Sequence, residues 1–114
     1  MSQNGLANFA GYAPAFAGIG QAIEASFGGT EKMKPAEYRM RSAEFHPEAF
    51  TMPLAVTAGG KDTAVPPASV LRLAEAVRKR NPHVLVLHRP EGGHATDYED
   101  TVQAHEFAIT AACQ

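Results

Sequence analysis

Two ionisable residues stand in glycine-marked turns: Asp62 in Gly59-Gly60-Lys61-Asp62-Thr63, and His94 at the end of His88-Arg89-Pro90-Glu91-Gly92-Gly93-His94. A carboxylate beside an imidazole has a defined chemistry. It accepts the Nδ1–H bond, fixes the tautomer and stabilises the imidazolium as it forms. The histidine can then act as general base near neutral pH. Asp62 also has a plain alternative role, because aspartate is common in turns, where its side chain binds the local backbone.

Whether the two residues meet depends on the elements that carry them. Leu54-Ala55-Val56-Thr57-Ala58 is a short apolar run that ends at the first turn. A helical pattern follows from Val65-Pro66-Pro67 to Arg80, and a second apolar run, Val84-Leu85-Val86-Leu87, leads to the second turn. That order is one βαβ unit, and its strands must be parallel. Their C-terminal ends therefore lie at one edge of the sheet, where α/β proteins place ligands and chemistry. Asp62 and His94 both follow those ends and are expected to be neighbours in space.

The segment from Met52 to Phe107, with its G-x-x-D turn at Gly59 to Asp62, its Val65-Pro66-Pro67 and its Gly92-Gly93-His94 loop, resembles the C-terminal end of α/β-hydrolase-fold serine hydrolases, in the esterase and prolyl-oligopeptidase-type branch. The resemblance is looser over the first half, through Ser26-Phe27-Gly28-Gly29-Thr30 and Pro35 to Pro53. It implies an α/β fold: a partial α/β-hydrolase domain over residues 1–114, with a helical and irregular lead-in (1–50) and a C-terminal β-α-β-α unit of a parallel sheet (51–114). It also implies a triad in the order Ser, acid, His, with Asp62 at the acid position and His94 at the base position. The implied reaction is acyl transfer to water from a carboxylic ester or a peptide bond. No cofactor and no metal belong to it.

The family's nucleophile lies in a G-x-S-x-G elbow, and this sequence contains none. Its serines are Ser2, Ser26, Ser42 and Ser69, and none has the flanking glycines. Ser2 reads better as an ordinary polar residue than as a nucleophile. The resemblance therefore implies two thirds of a triad, in a chain that is the C-terminal portion of a hydrolase. Two alternatives are a non-catalytic α/β module for binding or oligomerisation that keeps the remnants of a triad, and a small hydrolase with an unrecognised nucleophile. A metal site from His88, His94 and Asp97 is the weakest reading, since no established ligand spacing supports it.

Composition is ordinary for a globular protein, 45% hydrophobic and 19% charged with a net charge of −2, and nothing in it suggests nucleic acid or a membrane surface. The basic cluster Arg78-Lys79-Arg80 fits a helix C-terminus. The single cysteine, Cys113, cannot form an internal disulfide and leaves the compartment open. The N-terminus lacks the pattern of a signal peptide, which says nothing about export if the chain is part of a longer one.

In the first half, residues 1–12 read as irregular. Phe16, Ile19, Ile23 and Phe27 have helical spacing and predict a helix over 13–27 with a buried stripe, stopped by Gly28-Gly29. A second helix is predicted from Pro35 to Glu44, and His46-Pro47 ends it. His46 reads as a surface turn residue rather than a pocket residue. Val70, Leu73, Ala74 and Val77 form the buried face of the crossover helix, and Asn81-Pro82 stops it. Thr96-x-x-Glu99 reads as a capping box for a last helix, with Ala104, Phe107, Ala108 and Ala111 as its inner stripe. Asp97, Glu99 and Asp100 fit that helix's positive end. Two apolar strands alone are marginal and should leave an open edge, so self-association or a missing N-terminal half is expected.

Overall fold

The computed structural model describes residues 1–10, 12 and 17–113. Three parallel strands form one sheet in the order β1 (Ser2–Gln3), β2 (Leu54–Gly59), β3 (Val84–Arg89). Among the described residues these α-helices accompany them: α1 (Ala17–Phe27), α2 (Pro35–Arg41), α3 (Ala68–Arg78) and α4 (Tyr98–Ala112). Two 3₁₀ turns, Ala43–Phe45 and Pro47–Ala49, separate α2 from β2.

Every residue of β2 is buried, as its continuous apolar run requires between two strands and two helical layers. Leu54, Val56 and Ala58 pack with Val70, Leu73, Ala74 and Val77 of α3, the stripe expected from helical spacing. Ala7 joins this core from the N-terminal segment, where its N–H donates to the buried Ser69 hydroxyl at 3.0 Å. On the second layer, Ala104 of α4 is fully buried and Phe107, Ala108 and Ala111 are half-buried. β3 lies at the edge, and its Val84 to Leu87 are only half-buried.

The lead-in departs from the sequence reading in several places. Residues 1–12 contain a strand, because Ser2 and Gln3 pair with Val56 and Thr57. Two residues are too few for a periodic signal. α1 buries Ile23 and half-buries Phe27, but Ile19 is 55% exposed. Its aromatic neighbours explain this: Phe27 meets Phe9 and Tyr38 edge-on, at centroid distances of 5.2 and 4.8 Å. These contacts lie at the C-terminal end of the helix, about two turns beyond Ile19. The predicted residues 13–16 of that helix, including Phe16, lie outside the described residues. Gly28 ends the helix with φ 85°, a left-handed conformation that glycine accepts. α2 begins at Pro35 as expected but stops at Arg41, and a 3₁₀ turn covers the rest. There the Ser42 hydroxyl turns back to donate to Tyr38 O at 2.6 Å, while accepting from Phe9 N–H at 2.9 Å. His46 lies between the two 3₁₀ turns, its Nε2 3.2 Å from Arg39 O.

Two helix starts also move. α3 begins at Ala68 rather than Val65. Each proline disfavours the α region in the residue before it, here Val65 and Pro66, and the Val65 N–H is committed to Asp62. α4 is capped by Asp97, which accepts from Asp100 N at 2.8 Å, and not by Thr96. Thr96 is engaged elsewhere, as described below.

Candidate active site

Asp62 and His94 meet. His94 Nδ1 lies 2.9 Å from Asp62 Oδ2. The βαβ crossover places both residues beyond parallel strand ends, but the contact itself is made by the two loops, which touch backbone to backbone. Gly60 N–H donates to Arg89 O and Lys61 N–H to Gly92 O, each at 2.8 Å. A methyl group on Gly59 would sit 2.1 Å from Gly93 O, and one on Gly60 would sit 2.3 Å from Pro90 O. Neither glycine adopts positive φ. Their role is therefore close approach, and not the sharp turn that a Gly-Gly pair suggests in sequence. Lys61 and Glu91 add an ion pair across the loops, both largely exposed and hence of small energetic weight.

The Asp62 side chain is 1% exposed. Its Oδ1 accepts from the N–H groups of Ala64 and Val65 at 2.9 and 2.8 Å, and its Oδ2 faces His94. The turn-forming role and the partner role of this aspartate thus coexist, one oxygen each. Burial opposes ionisation and is the largest single influence. The Val65 N–H, the His94 imidazole and the Ala64 N–H together outweigh it and hold the carboxyl below its usual value. An ionised acceptor at Nδ1 requires the ring proton there, so the lone pair of neutral His94 is on Nε2. The His94 side chain is 56% exposed, and no described residue bonds Nε2.

The N-terminal segment braces both loops. Tyr12 is buried, and its hydroxyl donates to Ala64 O at 2.8 Å, supporting the turn that holds Asp62. Asn4, 8% exposed, donates from Nδ2 to His94 O and, at 2.8 Å, to Thr96 Oγ1. Thr96 Oγ1 also lies 3.0 Å from Thr57 Oγ1. A cavity of about 230 Å³ is lined by Asn4, Thr57, Gly93, Thr96 and their neighbours. Gly93 and Ala95 border it but His94 does not. It lies behind the His94 loop, and the ring turns away from it towards Asp62. Below the loop, Arg89 at the end of β3 pairs with the 4%-exposed Asp100 of α4, with Nε 2.7 Å from Oδ2. Asp100 therefore does more than complement a helix dipole, since it ties α4 to the strand that leads into His94.

None of Tyr12, Asn4 and Thr57 stands in a motif, and Asp100 reads in the sequence only as a complement to a helix dipole. The one legible signal is Thr57, a lone polar residue in the apolar run of β2. Among the described residues, no three His, Cys, Asp or Glu side chains converge as a metal site would need, and His94 Nδ1 is already committed to Asp62. Ser42 and Ser69 are buried in backbone hydrogen bonds away from His94, and no described serine bonds its ring.

A family model described as the prolyl oligopeptidase family matches residues 3–112. The chain belongs to that family. Prolyl oligopeptidase family members have the α/β-hydrolase fold, and the three parallel strands with their flanking helices are a part of it. Membership also makes this an α/β-hydrolase-type protein of a peptidase family. Neither a curated protein nor a solved structure matches the chain. Among the described residues of this family member, no helix is long and apolar enough to cross a membrane.

Proposed function

We propose that this chain supplies the acid and base of a serine hydrolase that transfers an acyl group from an ester or peptide bond to water. Asp62 orients the ring and stabilises the imidazolium. His94 takes the nucleophile's proton through Nε2 and returns it to the leaving group. The observation that carries this reading is the 2.9 Å His94–Asp62 contact, with the carboxylate anchored on its other oxygen and the His94 side chain 56% exposed. Acyl transfer also needs a nucleophile and oxyanion donors. No G-x-S-x-G occurs among Met1–Gln114, and the reading assigns both functions to polypeptide other than these residues.

The test is labelling with a fluorophosphonate probe, read by intact mass and peptide mapping, on the polypeptide as its cell makes it and on residues 1–114 alone. One adduct is expected in the natural polypeptide, on a serine other than the four in this chain, and it should disappear in His94→Ala. Residues 1–114 alone should take none. An adduct on Ser2 or Ser26 that depends on His94 would replace the reading with a self-sufficient hydrolase.

A second reading, a binding or oligomerisation module, is favoured by the half-buried edge strand β3. A natural polypeptide that takes no probe and sediments as a stable assembly would establish it in place of the first.

A further inference from the structure

We infer that Asn4 is the positioning residue for His94, holding the imidazole against Asp62 from a place 90 residues away in the chain. This rests on the acid–base reading above, and it concerns a residue that no motif of that reading includes.

The argument begins with the backbone of Asn4. Its φ is 48°, and among the described non-glycine residues it alone has positive φ. Asparagine tolerates that conformation better than most residues. It comes directly after β1, where the chain leaves the sheet. Asn4 N–H stays on β2, 3.1 Å from Thr57 O and 3.2 Å from Thr57 Oγ1. The backbone is thus anchored to the central strand of the sheet. From that anchor the amide crosses to the His94 loop and uses both its protons there, one on His94 O and one on Thr96 Oγ1. Thr96 closes the circuit through Thr57.

The loop has few other holds near the ring. Gly93 has nothing within 4 Å of the position a side chain would take, and His94 itself is half exposed. On the Gly92 side the loop is held by Lys61 N–H. On the far side the hold on the His94 peptide is Asn4. Without it, the ring would keep its bond to Asp62, but the His94 carbonyl would lose its side-chain donor and the loop around the ring would be held at Gly92 and Thr96. Asn4 touches neither Nδ1 nor Nε2, so its action on the chemistry is through His94.

The test uses the natural polypeptide with ¹⁵N-labelled histidine and follows solvent exchange of the His94 Nδ1 proton by NMR. Asn4→Gly keeps the positive φ available and removes only the amide. Asn4→Asp keeps the shape and replaces both donors with an oxygen facing His94 O. Each should speed Nδ1–H exchange by about tenfold, the effect expected when a hydrogen bond that limits local opening is lost. Gln3→Ala is the control. It removes the neighbouring strap from β1 to α4, Gln3 Nε2 to Thr101 Oγ1 at 2.8 Å, and does not touch the His94 loop. Exchange in Gln3→Ala should stay within twofold of wild type.

Unchanged exchange in Asn4→Gly overturns the inference, and so does an equal effect of Gln3→Ala. If both Asn4 variants fail to fold, Thr96→Val removes the second acceptor from the other end and must raise the same exchange for the inference to stand. The readout needs no nucleophile. A failure of the hydrolase reading, seen as absence of probe labelling, is therefore distinct from a failure of the positioning role.

Discussion

Gly59→Ala is the perturbation whose consequences the structure specifies most closely. The added methyl would lie 2.1 Å from Gly93 O, 2.6 Å from Gly92 O and 2.9 Å from Gly92 C, all backbone atoms. No side chain can rotate away to make room. To reach even 3.0 Å the loops must part by about 0.9 Å, since closer approach is steeply repulsive. The Lys61 N–H bond to Gly92 O, 2.8 Å in the wild type, would then stretch beyond bonding range. Overpacking costs about 1–3 kcal/mol, and each hydrogen bond lost adds about 1 kcal/mol. The expected destabilisation is about 2–5 kcal/mol, a large part of the roughly 5–15 kcal/mol that holds a domain together. Urea unfolding followed by circular dichroism measures it, and the His94 Nδ1–H resonance should weaken in parallel as the two loops separate. Gly93→Ala is the matched control. It has nothing within 4 Å and no positive φ, so it should stay within about 0.5 kcal/mol of wild type. A Gly59→Ala protein as stable as wild type, or an equal loss in Gly93→Ala, would refute the argument that backbone contact at Gly59 sets the approach of the two loops.

The remaining predictions concern ionisation. Asp62→Asn should lower the probe-labelling rate of the natural polypeptide by on the order of 10⁴-fold, because an amide N–H facing Nδ1 moves the ring proton to Nε2 and leaves no base there; a drop under tenfold would mean that Asp62 does not set the tautomer. The carboxyls of Asp62 and Asp100 are both held below their usual range, Asp100 chiefly by its hydrogen bonds from Arg89. A carboxyl depressed in the folded state binds fewer protons folded than unfolded. Its contribution is complete above the unfolded value of about 4 and is lost as pH falls through the folded value. Stability should therefore be flat from neutral pH to about pH 5 and decline below about pH 4. Asp100→Asn should flatten that decline in pH-dependent urea titrations, and an unchanged slope would contradict the assignment.

Much of the geometry around Asp62 and His94 was legible in the sequence. The apolar runs of β2 and β3 and the Val70-Leu73-Ala74-Val77 stripe encode a parallel pair with its crossover helix, and the structure has both. Once strands are parallel, residues after their ends share an edge. That argument brought Asp62 and His94 together without a contact map. The lead-in was harder to read because its short elements depend on partners. β1 exists only through its pairing with Val56 and Thr57. Ile19 repeats at the helical period yet faces outward, because periodicity records spacing and not what stands opposite.

By itself the sequence determined the two strands of the βαβ unit, their crossover helix, and that Asp62 and His94 follow neighbouring strand ends, since local pattern reflects burial and backbone preference. Tertiary structure alone decided the rest. Each oxygen of Asp62 received a separate partner, Gly59 and Gly60 became contact points between loops, and Asn4 and Tyr12 came to brace the acid and base turns. Apart from the local Oδ1 turn of Asp62, such roles follow from contacts between segments roughly 30 to 90 residues apart in sequence. They are set when the sheet and helices pack together, and no local periodicity carries them.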